Sequence, residues 1–311
     1  RQALRVAHFI HETPSPRTFV LASPAGGRPS FAYRAGQHLT LLVDADGATH
    51  RRCYSFSPSP LANGLPAITI KRMPQGVVSR HLHDHVRTGD TLTALDATGD
   101  FTLATDPAAR RHLVMVAGGV GITPLMSLAE TVLRAEPGSR VTLLCGNRSE
   151  DEIVFRRRID ALATEFQARL TARHTLDLAS DAWTGLRGAL DGPRVLEILA
   201  GAPADDYLVC GPEPMMQSVC AALESAGITR DRIHTERFAY ASNDGVRLPD
   251  HPAEVSFARS GRRVASMSRS GSSDSSTASA TGRMATPPPK RMAAVCRLRC
   301  STVATSCARY A

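Results

Sequence analysis

One stretch constrains the fold more than any other: RHLVMVAGGVGITPLMSLAETVLR, residues 111–134. Its apolar run reads as a buried strand, its glycines as a tight turn, and the periodic segment that follows as an amphipathic helix. Thr123 is placed to cap that helix and Pro124 to take its first position. Gly118, Gly119 and Gly121 let the backbone approach a pyrophosphate at the helix N-terminus. The spacing is not the full G-x-G-x-x-G, and it is the placement between strand and helix that marks a nucleotide-binding turn.

The unit recurs. RVTLLCGN (residues 140–147) is a second strand, followed by Arg148 and the helical pattern DEIVFRRRIDALATEF. Where an NAD-specific fold places an acid for the ribose 2′-hydroxyl, this strand ends in Asn147-Arg148, which favours the 2′-phosphate of NADPH over NADH. DYLVCG is the third strand, and its Cys210-Gly211-Pro212 turn falls at the C-terminal edge of the sheet, where open α/β folds bind ligands. Three strand–turn–helix units in series imply a parallel sheet, assigned to residues 107–240.

Residues 1–106 read differently. FAYRAGQHLTLLVD, RRCYSFSP, LPAITIKRM and DTLTALDATGDFTL are short, β-rich and separated by Gly, Pro, Asn and Asp, the pattern of an antiparallel barrel. Arg52 and Tyr54 fall on one strand face, where a cation beside an aromatic ring suits a ligand with a phosphate and a flat ring. On this stretch alone, an ordinary cross-strand pair accounts for them better. Gly76-Val77-Val78-Ser79 precedes a short helix, with Ser79 as its expected N-cap and free backbone N–H groups for phosphate. In HLHDH, His81 and His85 share a helix face while His83 points elsewhere. The string is one residue short of the H-x-H-x-D-H metal motif, so no metal ligand is assigned, and metallo-hydrolase is the weakest of the functional readings.

Composition decides one further question. The chain of 311 residues carries a net charge of +8, but ten Lys and Arg against the single Asp274 lie from Arg259 onward, leaving the rest near neutral. A solvated basic tail explains this better than a nucleic-acid arm. No apolar run approaches the roughly 20 residues of a membrane span. Seven cysteines, an odd number, do not form a disulfide framework and point to a reducing, cytoplasmic setting. AEVSFARSGRRV (residues 253–264) alternates about Ser260-Gly261 as a hairpin does. Beyond Val264, Ser, Thr, Ala and Arg dominate, a composition unable to offset its chain entropy.

Taken in order, R-x-Y-S at Arg52–Ser55, G-x-x-S at Gly76–Ser79, A-G-G-x-G-x-T-P at Ala117–Pro124, G-N-R at Gly146–Arg148, C-G-P at Cys210–Pro212 and E-R-F at Glu236–Phe238 resemble the ferredoxin–NADP reductase family. The likeness runs to about residue 240 and is nearest to the FAD-containing reductase components of bacterial oxygenases, of the phenylacetyl-CoA epoxidase and ketosteroid hydroxylase types. It implies an FAD-binding β-barrel followed by a nucleotide-binding α/β domain, joined by a linker at 241–252 to a degenerate ferredoxin-like start and disordered tail at 253–311.

The resemblance also implies roles. Arg52 would hold the flavin pyrophosphate, Tyr54 would stack on the isoalloxazine, and Ser55 would bond near its N5. Gly76, Val78 and Ser79 would bind phosphate, and Lys71 would join them at the cofactor. Gly118, Gly119, Gly121, Thr123 and Pro124 would cradle the NADPH pyrophosphate, with Asn147 and Arg148 at the 2′-phosphate. Cys210, Gly211, Pro212 and Glu236 would lie near the nicotinamide, and Phe238 would cover the flavin's other face. Tyr54, Ser55, Cys210 and Glu236 are thus the candidate catalytic set.

The function implied is electron transfer from NADPH through FAD to a ferredoxin or oxygenase component. A standalone dye or ferredoxin reductase and a non-catalytic remnant are the alternatives. A plant-type [2Fe–2S] module is expected next in such chains, and it needs C-x4-C-x2-C and a distant fourth cysteine. Cys296, Cys300 and Cys307 have the wrong spacing and no fourth partner follows. The expectation is that this cluster is absent, through a change of reading frame near residue 265.

Overall fold

The computed structural model of the chain describes residues 1–238 and, separately, the backbone of two short strands near 254–265. The first antiparallel sheet contains β1 (Gln2–His11), β2 (Pro16–Ala22), β3 (His38–Ala45), β4 (Ala48–Ser55), β5 (Ala67–Lys71) and β6 (Thr91–Ala94) in the order β4-β3-β6-β1-β2-β5. Its two edges meet at a single Phe56–Ile68 bridge, which closes the barrel on that side. Period-2 alternation fills the inside: Leu39, Leu41, Val43 and Ala45 of β3 are buried. The β3–β4 turn is an Asp-Gly pair, with Asp46 at φ +48° and Gly47 at φ +74°, the left-handed backbone of a two-residue hairpin. Helix α1 (Val77–His85) spans the barrel end and inserts Leu82 into the core.

The second sheet is parallel throughout. It comprises β7 (His112–Gly118), β8 (Arg140–Asn147), β9 (Leu170–Leu176), β10 (Leu186–Arg187), β11 (Asp206–Cys210) and β12 (Ile233–Glu236), in the order β10-β9-β8-β7-β11-β12. Helices α2 (Ile122–Ala135) and α3 (Arg156–Phe166) cover one face, α4 (Gly192–Leu199) and α5 (Glu213–Ser225) the other. Central strand β7 explains the apolar run: Leu113, Met115 and Ala117 pack toward the α2 side, and Val114 and Val116 toward the α5 side. Strand order reverses at β7, so the crevice between the C-terminal ends of β7 and β11 is the topological switch point.

The two sheets meet along a polar seam. Ser127 Oγ donates to Pro58 O at 2.7 Å, and the Ser59 and Thr131 hydroxyls pair at 2.7 Å. Glu130, only 4% exposed, accepts from the Ser59 amide, Arg134 and Arg158. Burial disfavours its ionised form, but these donors together hold its carboxyl below the ordinary value. Farther along, β13 (Glu254–Phe257) pairs antiparallel with β14 (Arg262–Ala265), Val255 opposite Val264, the hairpin expected from the alternation. The proposed linker, the basic tail and Cys296, Cys300 and Cys307 lie outside the described residues.

Candidate functional site

The crevice at the switch point opens into a cleft of about 330 Å³. Gly118, Gly119, Asn147, Arg148 and Pro212 line it from the α/β sheet, and Lys71 lines it from the barrel. Six residues singled out from the sequence thus meet in one place, although they come from four different strand ends. The glycines there do different things. Gly118 and Gly211 let two turns touch: a Cβ on Gly118 would stand 2.5 Å from Pro212 Cδ, and one on Gly211 would stand 2.8 Å from Gly118 N. Gly119 has φ +51° and nothing within 4 Å of where its Cβ would lie. It is therefore the open floor of the cleft, the place where a backbone amide can approach a phosphate.

Gly121 also has a packing role that the sequence reading did not include. A Cβ there would overlap the Cys210 carbonyl and stand 2.8 Å from Gly211 Cα, so this glycine serves the packing of α2 on β11. Thr123 and Pro124 are also displaced from their expected places. The helix begins at Ile122 with Gly121 as N-cap, because a 3₁₀ turn at Gly119–Gly121 already winds the chain. Thr123, 2% exposed, donates its hydroxyl to Val120 O at 3.0 Å, and Pro124 is buried within the first turn. Both brace the turn from below rather than face the cleft.

A parallel correction applies to Ser79. Helix α1 starts three residues earlier, with Gly76 as N-cap and no side-chain cap. Ser79 Oγ instead donates to Gly76 O at 3.3 Å and accepts from Met73 N at 3.1 Å, closing the preceding turn on itself. Val78 is buried against the barrel core. In the same helix His83 Nε2 lies 2.8 Å from Ile70 O, while the His81 and His85 rings stand 5.1 Å apart on another face.

Arg52 and Tyr54 share one face of β4, opposite Leu41 and Leu39 of β3. Burial pushes the Tyr54 phenol well above its ordinary value, so its hydroxyl stays neutral. Ser55, 4% exposed, pairs with His38 across the β3–β4 ladder. Cys210 and Glu236 are direct partners in the β11–β12 ladder. Cys210 is fully buried, and burial pushes its thiol up, with Glu236 adding to the effect. The Glu236 carboxyl is likewise raised by burial, against the nearby His38 and together with Asp100. Phe238 is partly buried and packs on the α2-side core.

The sequence reading missed Glu152, Asp177 and Met215, which line the same cleft. It also missed His38 and Asp100, which line a second cleft with Glu236. Asp177 directly follows strand β9, whose polar pattern hid it. Had β9 been recognised, an acid at its C-terminal edge would have been legible.

A flat-ring face on the barrel and a glycine-floored crevice on a parallel sheet define a class: a two-domain flavin- and nucleotide-binding oxidoreductase. Residues 8–102 match the oxidoreductase FAD-binding domain family and residues 115–221 the oxidoreductase NAD-binding domain family. The chain is 35% identical over 255 residues to the ferredoxin reductase component of 3-ketosteroid-9-alpha-monooxygenase from Rhodococcus rhodochrous, covering 81% of this chain and 69% of that one. It is 33% identical over 245 residues to a component of 1,2-phenylacetyl-CoA epoxidase from Escherichia coli K12, covering 76% and 67%. Among solved structures, the FAD/NAD-binding domain of nitric oxide dioxygenase from Vibrio cholerae superposes with TM-score 0.67 at 27% identity, covering 76% of this chain and 98% of that one. The chain belongs to the ferredoxin reductase family of FAD- and NAD-binding oxidoreductases. It is an enzyme that uses FAD to oxidise a nicotinamide nucleotide.

The residues present fit both groups. The open Gly119 position leaves room at the turn for a pyrophosphate, and Arg52 and Tyr54 offer a cation and a ring on one face of β4.

Proposed function

We propose that the chain takes electrons from NADPH and passes them singly to a ferredoxin or oxygenase partner, as the reductase component of an oxygenase system. One observation supports this most: a single cleft carries residues of both halves, Lys71 and Pro16 from the barrel with Gly118, Gly119 and Arg148 from the sheet. A nucleotide laid on the sheet would therefore reach the flavin face. FAD, when bound, supplies the conversion between a two-electron hydride and single electrons. On this reading Arg52, Gly76, Val78 and Ser79 hold its pyrophosphate, Tyr54 and Phe238 cover its two faces, and Ser55 donates at its reactive edge. Cys210 and Glu236 bound the nicotinamide position. The FAD-binding unit would end near residue 106 and the nucleotide-binding unit near 240. With Cys53, Cys145, Cys210 and Cys220 all free thiols, we place the protein in the cytoplasm. No helix among the described residues is long and apolar enough to cross a membrane.

Arg148 is exposed at the cleft and suits a 2′-phosphate. Asp177 and Glu152 line the same cleft, and their carboxylates favour a second reading, NADH held through its ribose hydroxyls. Two substitutions separate these. If Arg148 reads the phosphate, Arg148→Ala removes a charge-assisted contact worth about 1.5–3 kcal/mol and lowers kcat/KM for NADPH roughly ten- to hundred-fold, with NADH barely affected. If Asp177 reads the ribose, Asp177→Asn weakens NADH and improves NADPH. Equal shifts for both nucleotides in both variants would discard the two assignments together.

We further propose that the chain holds no [2Fe–2S] cluster, given the spacing of Cys296, Cys300 and Cys307. Full-length protein is then expected to contain no acid-labile sulfide and to reduce ferricyanide as fast as a form ending near residue 250. Stoichiometric iron and sulfide would overturn this.

A further inference from the structure

Each side of the polar seam leads directly to one of the proposed cofactor positions. On the barrel side, residues 56–59 follow straight on from β4, so Pro58 lies three residues beyond Ser55 and four beyond Tyr54. On the other side, α2 follows straight on from the glycine turn, and Ser127 lies about 8 Å along its axis from Ile122. Ser127, Glu130 and Thr131 recur at i, i+3 and i+4 on one face of α2, and all three are buried, as is Ser59. Polar side chains are costly in such a place unless every one is paired.

All of them are paired, and the pairing runs in one direction. Thr131 Oγ1 donates its one proton to Ser127 O at 2.7 Å, so in its 2.7 Å contact with Ser59 it must accept. Ser59 Oγ therefore donates to Thr131, and it accepts from the Leu61 amide at 3.1 Å. Ser127 Oγ donates to Pro58 O at 2.7 Å, where the Tyr33 hydroxyl also donates at 3.1 Å. Nearby the contact is steric: a Cβ on Gly36 would overlap Phe101 O and stand 3.2 Å from Leu128 Cδ1. Apolar contact is non-directional and holds two surfaces together without choosing among small displacements. Hydrogen bonds weaken steeply with misalignment, so this chain of hydroxyls selects one placement.

Hydride transfer depends on such a selection. Donor and acceptor atoms must stand near contact distance, and a misplacement of about 1 Å costs on the order of 10²-fold in rate. We infer that Ser127 and Thr131 are positioning residues for hydride transfer, setting where the flavin strand stands relative to the helix whose first turn holds the nucleotide. The inference rests on the proposed flavin role of Tyr54 and Ser55 and the proposed nucleotide role of the Gly119 turn. Glu130 supports the same placement by accepting from the Ser59 amide at 3.3 Å, with Arg134 and Arg158 as its other donors. Thr131 carries the larger share, because without its hydroxyl the Ser59 O–H has no acceptor at a fully buried position. The loop then satisfies that group by turning toward water, and Pro58 and the end of β4 move with it.

The test uses two replacements at one position: Thr131→Val keeps the shape and removes the hydroxyl, and Thr131→Ser keeps the hydroxyl. Full-length flavoprotein is mixed by stopped flow with saturating NADPH or NADH, whichever reduces the parent faster, and the loss of flavin absorbance gives the transfer rate. Thr131→Val is expected to lower that rate about ten-fold while FAD content and the Kd of 5′-ADP stay unchanged. Thr131→Ser should stay within about two-fold of the parent. Nucleotide deuterated at the transferred position should show a full primary isotope effect in Thr131→Val, which places the slowing in the transfer itself. Ser127→Ala leaves Pro58 O its bond from Tyr33, so it keeps the fold if Thr131→Val does not, and it should show the same split at about two- to five-fold. The inference is overturned if these variants lose Tm without losing rate, or lose rate only in step with FAD or 5′-ADP binding. A parent that binds FAD yet is reduced by neither nucleotide would instead overturn the reading beneath it.

Discussion

Gly121→Ala is expected to prevent stable folding of the α/β half, while Gly119→Ala leaves it standing and empties the nucleotide cleft. The two glycines are two residues apart in one motif, yet their surroundings are opposite. At Gly121 the new methyl would meet the Cys210 carbonyl and Gly211 Cα, both backbone atoms of the central β11 turn. Backbone on a sheet held by β7 and β12 on either side has nowhere to go. Ordinary overpacking costs about 1–3 kcal/mol, and a clash against fixed backbone exceeds that. With a native margin of about 5–15 kcal/mol, insoluble expression or a loss of more than about 10 °C in Tm is expected. At Gly119 the methyl meets nothing, and the cost is the left-handed backbone at φ +51°, about 1–2 kcal/mol. That methyl does occupy the open floor where a phosphate would approach. Thermal melts with and without 5′-ADP decide the matter: Gly119→Ala should melt near the parent but lose its ligand-induced shift. A Gly121→Ala protein melting within about 3 °C of the parent would show that α2 and β11 are not locked together.

These two positions also show how much the sequence could reveal. The chain order strand–glycine–helix was legible because each piece is local: the apolar run of β7, the glycine turn and the α2 periodicity lie within 24 residues. That Gly121 must stay small for packing was not legible, since its neighbour there is Cys210, 89 residues away in sequence. Ser79 and Thr123 were misplaced for a related reason. A hydroxyl before a helix is read as a cap, but here a preceding turn already winds the chain and takes the hydroxyl for its own carbonyl. Strands β1, β2, β9 and β12 escaped notice because mixed or polar patterns dilute their alternation, as in LTARHTL of β9. Helix α4 did carry a signal, Asp191 accepting from the Arg194 amide at 3.0 Å just before Pro193, but it is only eight residues long. His38 and Glu236 lie far apart in the described chain, so only the closed fold brings them to one cleft.

Glu136→Ala is expected to be the most destabilising single change outside the glycine turn, by about 3–5 kcal/mol. Glu136 ends α2 with its side chain fully buried. Its carboxylate accepts from Arg111 Nη2 at 2.6 Å and Nε at 3.0 Å, from Ser139 Oγ at 2.7 Å and from the Asp106 amide at 3.3 Å. Arg111 also donates to Ala104 O at 2.9 Å, so this one anion ties the segment entering β7 to the end of α2. Truncation leaves a guanidinium that is only 21% exposed, together with an amide and a hydroxyl whose partner is gone. At roughly 2–4 °C per kcal/mol for a domain of this size, Tm should fall by about 10 °C. The loss belongs mostly to the stranded partners, which a second variant can show. Replacing both groups by apolar side chains, Arg111→Met with Glu136→Leu, removes the buried charges together and should recover a large part of the stability lost by Glu136→Ala alone. Denaturant melts of the parent, each single variant and the double variant measure this coupling. Additive losses would mean that Arg111 and Glu136 act separately, and the segment before β7 would then be held by its backbone contacts rather than by this anion.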